Sequence, residues 1–247
     1  ERLLAEKPEK AKLAFVGDGI NDAPAMKAAD VAISVDTAVD IAKKSADIIL
    51  LHKDLMILEK GVQIGRQVFG NTMKYIKITL SSNFGNILSI LVASSFLPFL
   101  PMLPIQLLIL DLMYGTSCLS ITFDTMNKHY LSEPRKWSTK KLPKFMFYFG
   151  PTSSIFDIIT FALLFFVVCP QVTGTSYAAA SATQKLIFSA IFCTGWFIES
   201  LWTQEMVIHA LRDPKLPFIK QHATAIVTCA TIGMAVVGTV LPFITPI

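Results

Sequence analysis

The chain reads Val16-Gly17-Asp18-Gly19-Ile20-Asn21-Asp22-Ala23-Pro24-Ala25 directly after the short apolar run 13–16. Further apolar runs lie at 31–35 and 48–51, and each is short enough for a buried strand. Residues 21–29 and 38–45 fit helices between these runs, and the glycines mark a tight turn. Strands that alternate with helices predict the edge of a parallel α/β sheet.

Two carboxylates and an amide follow the first predicted strand. Asp18, Asn21 and Asp22 stand at the strand end and just before a helix N-terminus. Ligands bind at strand ends of open α/β sheets, helix N-termini favour anions, and Mg²⁺ prefers oxygen ligands. The stretch therefore predicts a site for Mg²⁺ and phosphate. A Gly-Asp-Gly turn taken alone would have a purely structural role in about half of all cases.

Charge is distributed unevenly along the 247 residues. The first 77 residues hold 23 charged side chains, whereas the remaining 170 hold only 17. The chain is 53% hydrophobic with a mean hydropathy of +0.54. A soluble segment joined to a membrane segment explains this pattern, since a soluble domain carries about 25% charged residues. A net charge of +4 is too small to suggest nucleic-acid binding.

Five stretches are apolar and long enough to cross a bilayer, which takes about 20 residues. We predict spans at about 78–100, 105–123, 145–168, 186–207 and 223–244. The second and fourth connections carry Lys and Arg, whereas the first and third carry none. Basic connections stay in the cytoplasm, so the N-terminal segment is predicted to be cytoplasmic and the C-terminus outside.

A helical pattern starts at Leu55 and reaches Phe96 without a proline. We predict one helix of about 60 Å that links the soluble part to the membrane. The predicted organisation is a partial domain over 1–54, a helical stalk over 55–77 and a transmembrane domain over 78–247. The prolines that follow, Pro98, Pro101 and Pro104, form either a rigid outer turn, which we favour, or an unwound ion path.

Ionisable residues are costly inside a bilayer and need a reason. Asn83 and Asn86 share a helix face, and Asp111 lies within the next span. Their oxygens fit a cation site near the midplane, and hydrogen bonding between helices is the alternative. Asp157 and Glu199 fit an ion site or a structural role about equally. Glu205 and Lys185 lie near span ends, where long side chains reach the interface.

The 17–25 stretch resembles the hinge signature of P-type ATPases, whose phosphorylation domain is haloacid-dehalogenase-like. Three further stretches resemble the magnesium-transporting members of that family: 81–86, 97–108 and 150–157. The likeness continues through 195–199 to 217–219 and covers nearly the whole chain. It implies a haloacid-dehalogenase-like α/β edge followed by a bundle of five transmembrane helices.

The resemblance also implies a catalytic cycle. ATP, bound mainly by other domains, phosphorylates an Asp of an Asp-Lys-Thr-Gly motif. Asp18 and Asp22 then bind the Mg²⁺ of that site, Asn21 supports the phosphoryl group, and Gly17 and Gly19 permit close backbone approach. Such a pump imports Mg²⁺ across the bacterial inner membrane, and we expect it to act as a monomer. Asn83, Asn86, Asp111 and Glu199 are the candidate ligands of the transported ion.

Two departures from the family pattern limit this interpretation. No Asp-Lys-Thr-Gly occurs in the 247 residues, so the segment alone should not hydrolyse ATP, and the family pattern places one more helix after its end. The family's Asn-Leu-Met-Tyr-Asp reads here Asp111-Leu112-Met113-Tyr114-Gly115, so one carboxylate has moved by one helical turn. A truncated non-catalytic membrane protein and a pump for H⁺ or Ca²⁺ remain alternatives.

Overall fold

A computed structural model describes residues 12–52, 54–136, 138–213 and 222–244. They fall into two compact units, divided between Gly65 and Arg66. The first unit is α/β and the second is helical. The predicted single helix is confirmed over Leu55–Phe96 (α3), which begins in the first unit and continues in the second.

The first unit contains a three-stranded parallel sheet in the order β1-β2-β3, formed by Ala14–Val16, Val31–Val35 and Ile48–Leu50. The strands are paired with Phe15 opposite Ala32 and Ser34 opposite Ile49. Two short helices connect them, Ala23–Ala28 (α1) and Asp40–Lys44 (α2). The predicted strand–helix alternation is confirmed, and the small core forms around Met26, Ile33 and Ala42.

Among the described residues, five helices are long and apolar enough to cross a membrane, and all but the first turns of α3 lie in the second unit. After α3 they are Pro104–Leu119 (α4), Leu142–Thr173 (α6), Ala182–Leu211 (α7) and Ala225–Ile244 (α8). A 3₁₀ turn at Ser120–Phe123 ends α4, and a short helix, Lys128–Ser132 (α5), lies in the connection that follows. The predicted number and order of long apolar helices are confirmed in the described part of the chain.

Helix α7 is the centre of this bundle and packs against α4, α6 and α8. Apolar side chains on its inward face are fully buried along three turns: Phe188, Phe192, Trp196 and Leu201. A wide π-helical turn at Leu164–Val168 lies within α6 beside this core. Such a core leaves the outward faces of the helices apolar and exposed, as a protein embedded in lipid requires.

The proline-rich connection between α3 and α4 is a turn, in agreement with the favoured prediction. Helix α3 ends at Phe96, Pro104 opens α4, and the Leu103 amide donates to the Gln106 side chain at 2.9 Å. Phe99 anchors the turn among aromatic rings, with centroid distances of 5.3 to 6.5 Å. A turn held by this many rings favours a fixed structure over an ion path.

Candidate functional site

The loop after β1 carries the predicted phosphate-site residues. β1 ends at Val16, and Ile20–Asp22 forms a 3₁₀ turn that leads into α1. Asp18 and Asn21 are exposed, and Asp22 is half-buried. The three side chains therefore lie at the carboxyl end of a parallel strand and just before a helix, as the sequence predicts.

Asp22 shapes this loop. Its Oδ2 accepts hydrogen bonds from the Asp18 amide at 3.1 Å and from the Gly19 amide at 2.9 Å. The Ser34 hydroxyl donates to the Gly17 carbonyl at 2.8 Å, which ties the loop to β2. A carboxylate that accepts two backbone N–H groups fixes the turn, so Asp22 positions the backbone that presents the Asp18 side chain.

Gly17 is required by a close approach rather than by an unusual backbone angle. A Cβ placed there would lie 2.5 Å from the Asp22 Cβ and 3.1 Å from the Met26 Sδ. Gly19 has extended φ and ψ angles of −104° and 169°, which any residue can adopt. The two glycines thus differ, and only Gly17 lies where a side chain would meet other atoms at short distance.

The oxygen donors of this loop suit Mg²⁺. The metal takes oxygen ligands, and one or two carboxylates suffice because it keeps waters and binds phosphate. Asp18, Asp22 and Asn21 supply such oxygens within five residues. Among the described residues, no three His, Cys, Asp or Glu side chains gather as a metal site.

The predicted ligands of the transported ion lie on three helices of the bundle: α3, α4 and the central helix α7. Asn83 on α3 and Asp111 on α4 are exposed, whereas Asn86 on α3 and Glu199 on α7 are half-buried. A Cβ at Gly115, one turn after Asp111, would meet nothing within 4 Å. The described part of the chain does not gather these carboxylates into a three-residue metal centre.

Asp157 joins three helices. It is 2% exposed, its Oδ2 accepts from the Ser89 hydroxyl at 2.5 Å, and its Oδ1 accepts from the Trp196 indole at 2.9 Å. These donors come from α3 and α7, which favours the structural role for this carboxyl. Glu199 interacts with Asp157 and accepts from the Thr203 hydroxyl at 2.6 Å.

The prediction that Glu205 reaches the interface is wrong. Its side chain is 2% exposed and accepts a hydrogen bond from the Ser117 hydroxyl of α4 at 2.6 Å. The reason is that Glu205 lies on the face of α7 that packs against α4, which the distance to the span end does not reveal. Lys185 is half-buried and lies over the Tyr177 ring at 5.4 Å.

A buried ion cluster, absent from the sequence-based prediction, joins three more segments of the second unit. We call Lys74, Asp124 and Arg212 the ion clamp. Asp124 is fully buried, with the Lys74 Nζ 2.7 Å from Oδ2 and the Arg212 Nη1 2.7 Å from Oδ1. Lys74 lies in the middle of α3, Asp124 follows the 3₁₀ turn that ends α4, and Arg212 follows α7. The clamp therefore joins the ends of two helices to the middle of a third.

Amide and guanidinium donors of α3 extend this contact. The Asn71 amide donates to the Asp124 carbonyl at 2.8 Å, and Arg66 donates to the Leu131 carbonyl at 2.6 Å. Burial raises the pKa of Tyr130 in the same connection, and the nearby Arg135 opposes the shift. A sequence signal for the clamp existed, because two cations and one carboxylate stand just outside three predicted spans on the same side of the membrane.

Comparison with known proteins shows which family the chain resembles. Residues 99–247 match the family described as the C-terminus of cation-transporting ATPases. The magnesium-transporting ATPase, P-type 1, of Salmonella typhimurium is 53% identical over 229 residues, which are 93% of this chain and 24% of that protein. Its Escherichia coli K12 counterpart is 48% identical over 237 residues, or 96% of this chain and 25% of that protein.

A calcium-transporting ATPase of Bacillus subtilis is 38% identical over 101 residues, which are 40% of this chain and 11% of that protein. The chain spans about a quarter of the length of the magnesium-transporting relatives it matches. The family match covers more than half of the chain and includes four of the five apolar helices. The chain is a multi-pass membrane protein that belongs to the family of cation-transporting ATPases and carries their C-terminal region.

Proposed function

We propose that the chain is the C-terminal part of an ATP-driven P-type pump that moves Mg²⁺ across the bacterial inner membrane. The observation that carries this proposal is the loop after β1, where Asp18 stands exposed at a parallel strand end and Asp22 fixes the backbone around it. The matches to two magnesium-transporting ATPases extend over 93% and 96% of the chain and support Mg²⁺ as the transported ion.

The first unit would be one edge of a haloacid-dehalogenase-like phosphorylation domain. In this proposal, residues 1–54 belong to that domain, 55–77 to a stalk and 78–247 to the membrane domain. Asp18 and Asp22 would hold Mg²⁺, and Asn21 would bind a phosphoryl oxygen. The metal would neutralise the negative charge of the phosphate, while the chain's own loop holds its ligands in place through the two amides bonded to Asp22.

The membrane domain would bind the transported ion through Asn83, Asn86, Asp111 and Glu199. These side chains offer two amides and two carboxylates, which suit a hard cation. Calcium is the second candidate, because a calcium-transporting ATPase is 38% identical over 40% of the chain. The much longer match to magnesium-transporting proteins favours Mg²⁺ as the substrate.

We propose that the first unit lies in the cytoplasm and that the full-length pump works as a monomer that imports Mg²⁺. The described connection between α4 and α6 carries Lys128, Arg135, Lys140 and Lys141, whereas the described connection between α6 and α7 carries no Lys or Arg. Basic connections remain in the cytoplasm, which supports this orientation.

The full-length protein tests the phosphorylation-site role directly. Incubation with radiolabelled ATP should produce an acid-stable phosphoprotein, and Asp18→Asn should greatly reduce its amount because it removes a metal-binding carboxylate. Glu59→Gln is the matched control, since Glu59 is an exposed carboxylate of α3 whose hydrogen bond among the described residues comes from Gln63 of the same helix. Equal labelling of Asp18→Asn and Glu59→Gln would refute the assignment, and no labelling of any version would favour a non-catalytic membrane protein.

A further inference from the structure

His209 is a buried histidine near the end of α7, and neither the proposed phosphate site nor the predicted ligands of the transported ion include it. The residue is 6% exposed, and its Nε2 lies 2.9 Å from the hydroxyl oxygen of Thr231 on α8. The Thr231 hydroxyl donates to the Thr228 carbonyl at 3.0 Å, so its oxygen accepts the hydrogen bond from His209. Nε2 therefore carries a hydrogen, and Nδ1 is the nitrogen that a second proton would bind.

Positive charge already exceeds negative charge beside this ring. His209 interacts electrostatically with Arg212, one turn later in the chain, and with Asp124, which follows α4. Asp124 is the single carboxylate of the ion clamp and pairs with two cations, Lys74 and Arg212. A protonated His209 would be a third cation beside one carboxylate, at a buried position where an uncompensated charge is costly.

Helices α4 and α8 bring no carboxylate that would offset this charge. The ionisable side chains of α4 are Asp111, which is exposed, and Tyr114 and Cys118, which are buried in the apolar cluster that includes Ile208. A phenol and a thiol are ordinarily neutral at physiological pH. The described residues of α8 contain one ionisable side chain, the exposed Cys229.

Charged groups on α3, α6 and α7 are also bonded elsewhere. On α6, Lys144 lies over an aromatic ring of its own helix, and Asp157 accepts hydrogen bonds from donors on α3 and α7. Glu205, one turn before His209 on α7, accepts a hydroxyl of α4. Lys74 of α3 belongs to the ion clamp. Asp124 is therefore the carboxylate whose contacts a proton on His209 would change.

We propose that His209 is a pH-sensitive switch at this end of the bundle: the neutral ring lets α7 pack on α8 beside a closed ion clamp, and protonation of Nδ1 loosens both contacts. The added charge repels Arg212 and competes with it for Asp124. The proposed orientation places this end of the bundle in the cytoplasm, so the pH that is sensed is the cytoplasmic pH. That compartment, but not the switch itself, rests on the proposed function.

The direction of the pH effect follows from burial. A histidine in contact with water titrates near pH 6.5, so a locally opened chain takes up this proton as the pH falls below about 6.5. The packed arrangement disfavours the same proton because it buries the charge beside two cations. Since the opened chain binds more protons than the packed chain, acidification favours opening.

Hydrogen exchange of the full-length protein in lipid, read by mass spectrometry, measures this opening. Peptides that cover residues 205–212 and 225–232 should exchange alike in the wild type and His209→Gln near pH 7.5. Near pH 5.5 they should exchange up to about tenfold faster in the wild type, since an opened histidine gains a proton there and glutamine does not. His129→Gln is the matched control: His129 is exposed on α5, so this variant should exchange like the wild type at both pH values.

Lys74→Met provides a second variant that keeps His209. It removes one of the two cations of the ion clamp, so protonation of His209 no longer adds to an excess of positive charge. The acid-dependent increase in exchange, with exchange times corrected for the intrinsic effect of pH, should therefore shrink. If His209→Gln does not fold, this comparison decides the question.

Two results would overturn the proposal: equal exchange of the wild type and His209→Gln near pH 5.5, or an acid-dependent increase that Lys74→Met leaves at full size. Phosphorylation by radiolabelled ATP near pH 7.5 separates this result from the proposed function. His209→Gln should be labelled like the wild type there, because His209 is neutral at that pH and lies outside the phosphate site. Loss of labelling in His209→Gln would overturn the switch, because it would show that the residue is needed in its neutral form as well.

Discussion

Gly17 shows how one residue determines the geometry of the loop after β1. The absence of a side chain there lets the Asp22 carboxylate come close enough to accept the amides of Asp18 and Gly19. The same contact turns the loop toward α1 and leaves Asp18 exposed at the strand end. The proposed role of Asp18 in binding Mg²⁺ would thus depend on a glycine that offers no side-chain ligand.

Replacing this glycine should damage the loop. Gly17→Ala places a Cβ 2.5 Å from the Asp22 Cβ, and overpacking of this kind costs about 1–3 kcal/mol. We expect a lower unfolding temperature and reduced labelling by radiolabelled ATP in the full-length protein. Gly61→Ala is the control, because a Cβ there meets nothing within 4 Å and the change favours the helix by up to about 1 kcal/mol. Similar behaviour of the two variants would contradict this role of Gly17.

The Asp111 and Gly115 pair concerns affinity for the transported ion. Gly115 lies one turn after Asp111 on α4, and a side chain at Gly115 has open space around it. Gly115→Asp therefore adds a second carboxylate without a steric cost. We expect Mg²⁺ to half-saturate transport by the full-length pump at a lower concentration in this variant, measured by titration of ATP-driven uptake. Gly115→Asn is the neutral control of nearly equal size, and an equal effect of both changes would exclude the added charge as the cause.

The elements of the fold follow closely from sequence pattern. β2 is observed over the predicted residues Val31–Val35, and α3 over Leu55–Phe96. Alternating apolar runs, glycine turns and a long stretch without proline are local signals, and they determine local structure. Span ends are less well defined: the third span extends to Leu142–Thr173, because the flanking residues continue the helix without being apolar enough to mark it.

The packing of those elements could not be predicted in the same way. Glu205 and Asp157 are buried because their helix faces meet neighbours, and no local pattern states which face does so. The ion clamp depends on three residues that are 50 and 88 positions apart in sequence. The geometry of the loop after β1 was predictable because all its candidate site residues lie within six positions.

The ion clamp should contribute strongly to the stability of the second unit. Asp124→Asn leaves Lys74 and Arg212 buried without their carboxylate, and breaking a buried pair from one side costs about 3–5 kcal/mol. Lys74→Met should cost less, since Asp124 keeps Arg212. Denaturant unfolding of the protein in detergent would measure both. Glu133→Gln, which removes an exposed ion pair, should change stability by at most about 1 kcal/mol. Equal losses for the Asp124 and Glu133 variants would contradict the clamp.

Helices α3 and α6 meet through small residues. The Ser154 hydroxyl donates to the Gly85 carbonyl at 2.9 Å, and a Cβ at Gly150 would lie 2.6 Å from the Phe84 Cδ1. Small residues let helix backbones approach closely in a membrane. Gly150→Ala should therefore separate the helices and lower the unfolding temperature. Gly233→Ala on α8, where a Cβ meets nothing within 4 Å, should not, and a matching loss there would assign the effect to the helix backbone instead.

At the scale of the whole molecule, the proposal connects a phosphate-site loop in the first unit with cation ligands in the second. Helix α3 carries residues of both units in one continuous element. It also contributes Lys74 to the ion clamp, Ser89 to the Asp157 cluster, and Asn83 and Asn86 to the predicted ion site. A helix that contains all of these residues is the element through which we expect phosphorylation to affect ion binding.

ATP-driven Mg²⁺ transport by the full-length protein is the most direct test of this account. The protein would be reconstituted into vesicles, and Mg²⁺ movement would be followed with a fluorescent indicator after ATP is added. We predict ATP-dependent Mg²⁺ transport by the wild type, its loss in Asp18→Asn, and its retention in Glu59→Gln. No ATP-dependent Mg²⁺ movement by a correctly folded wild type, or undiminished movement by Asp18→Asn, would contradict the account.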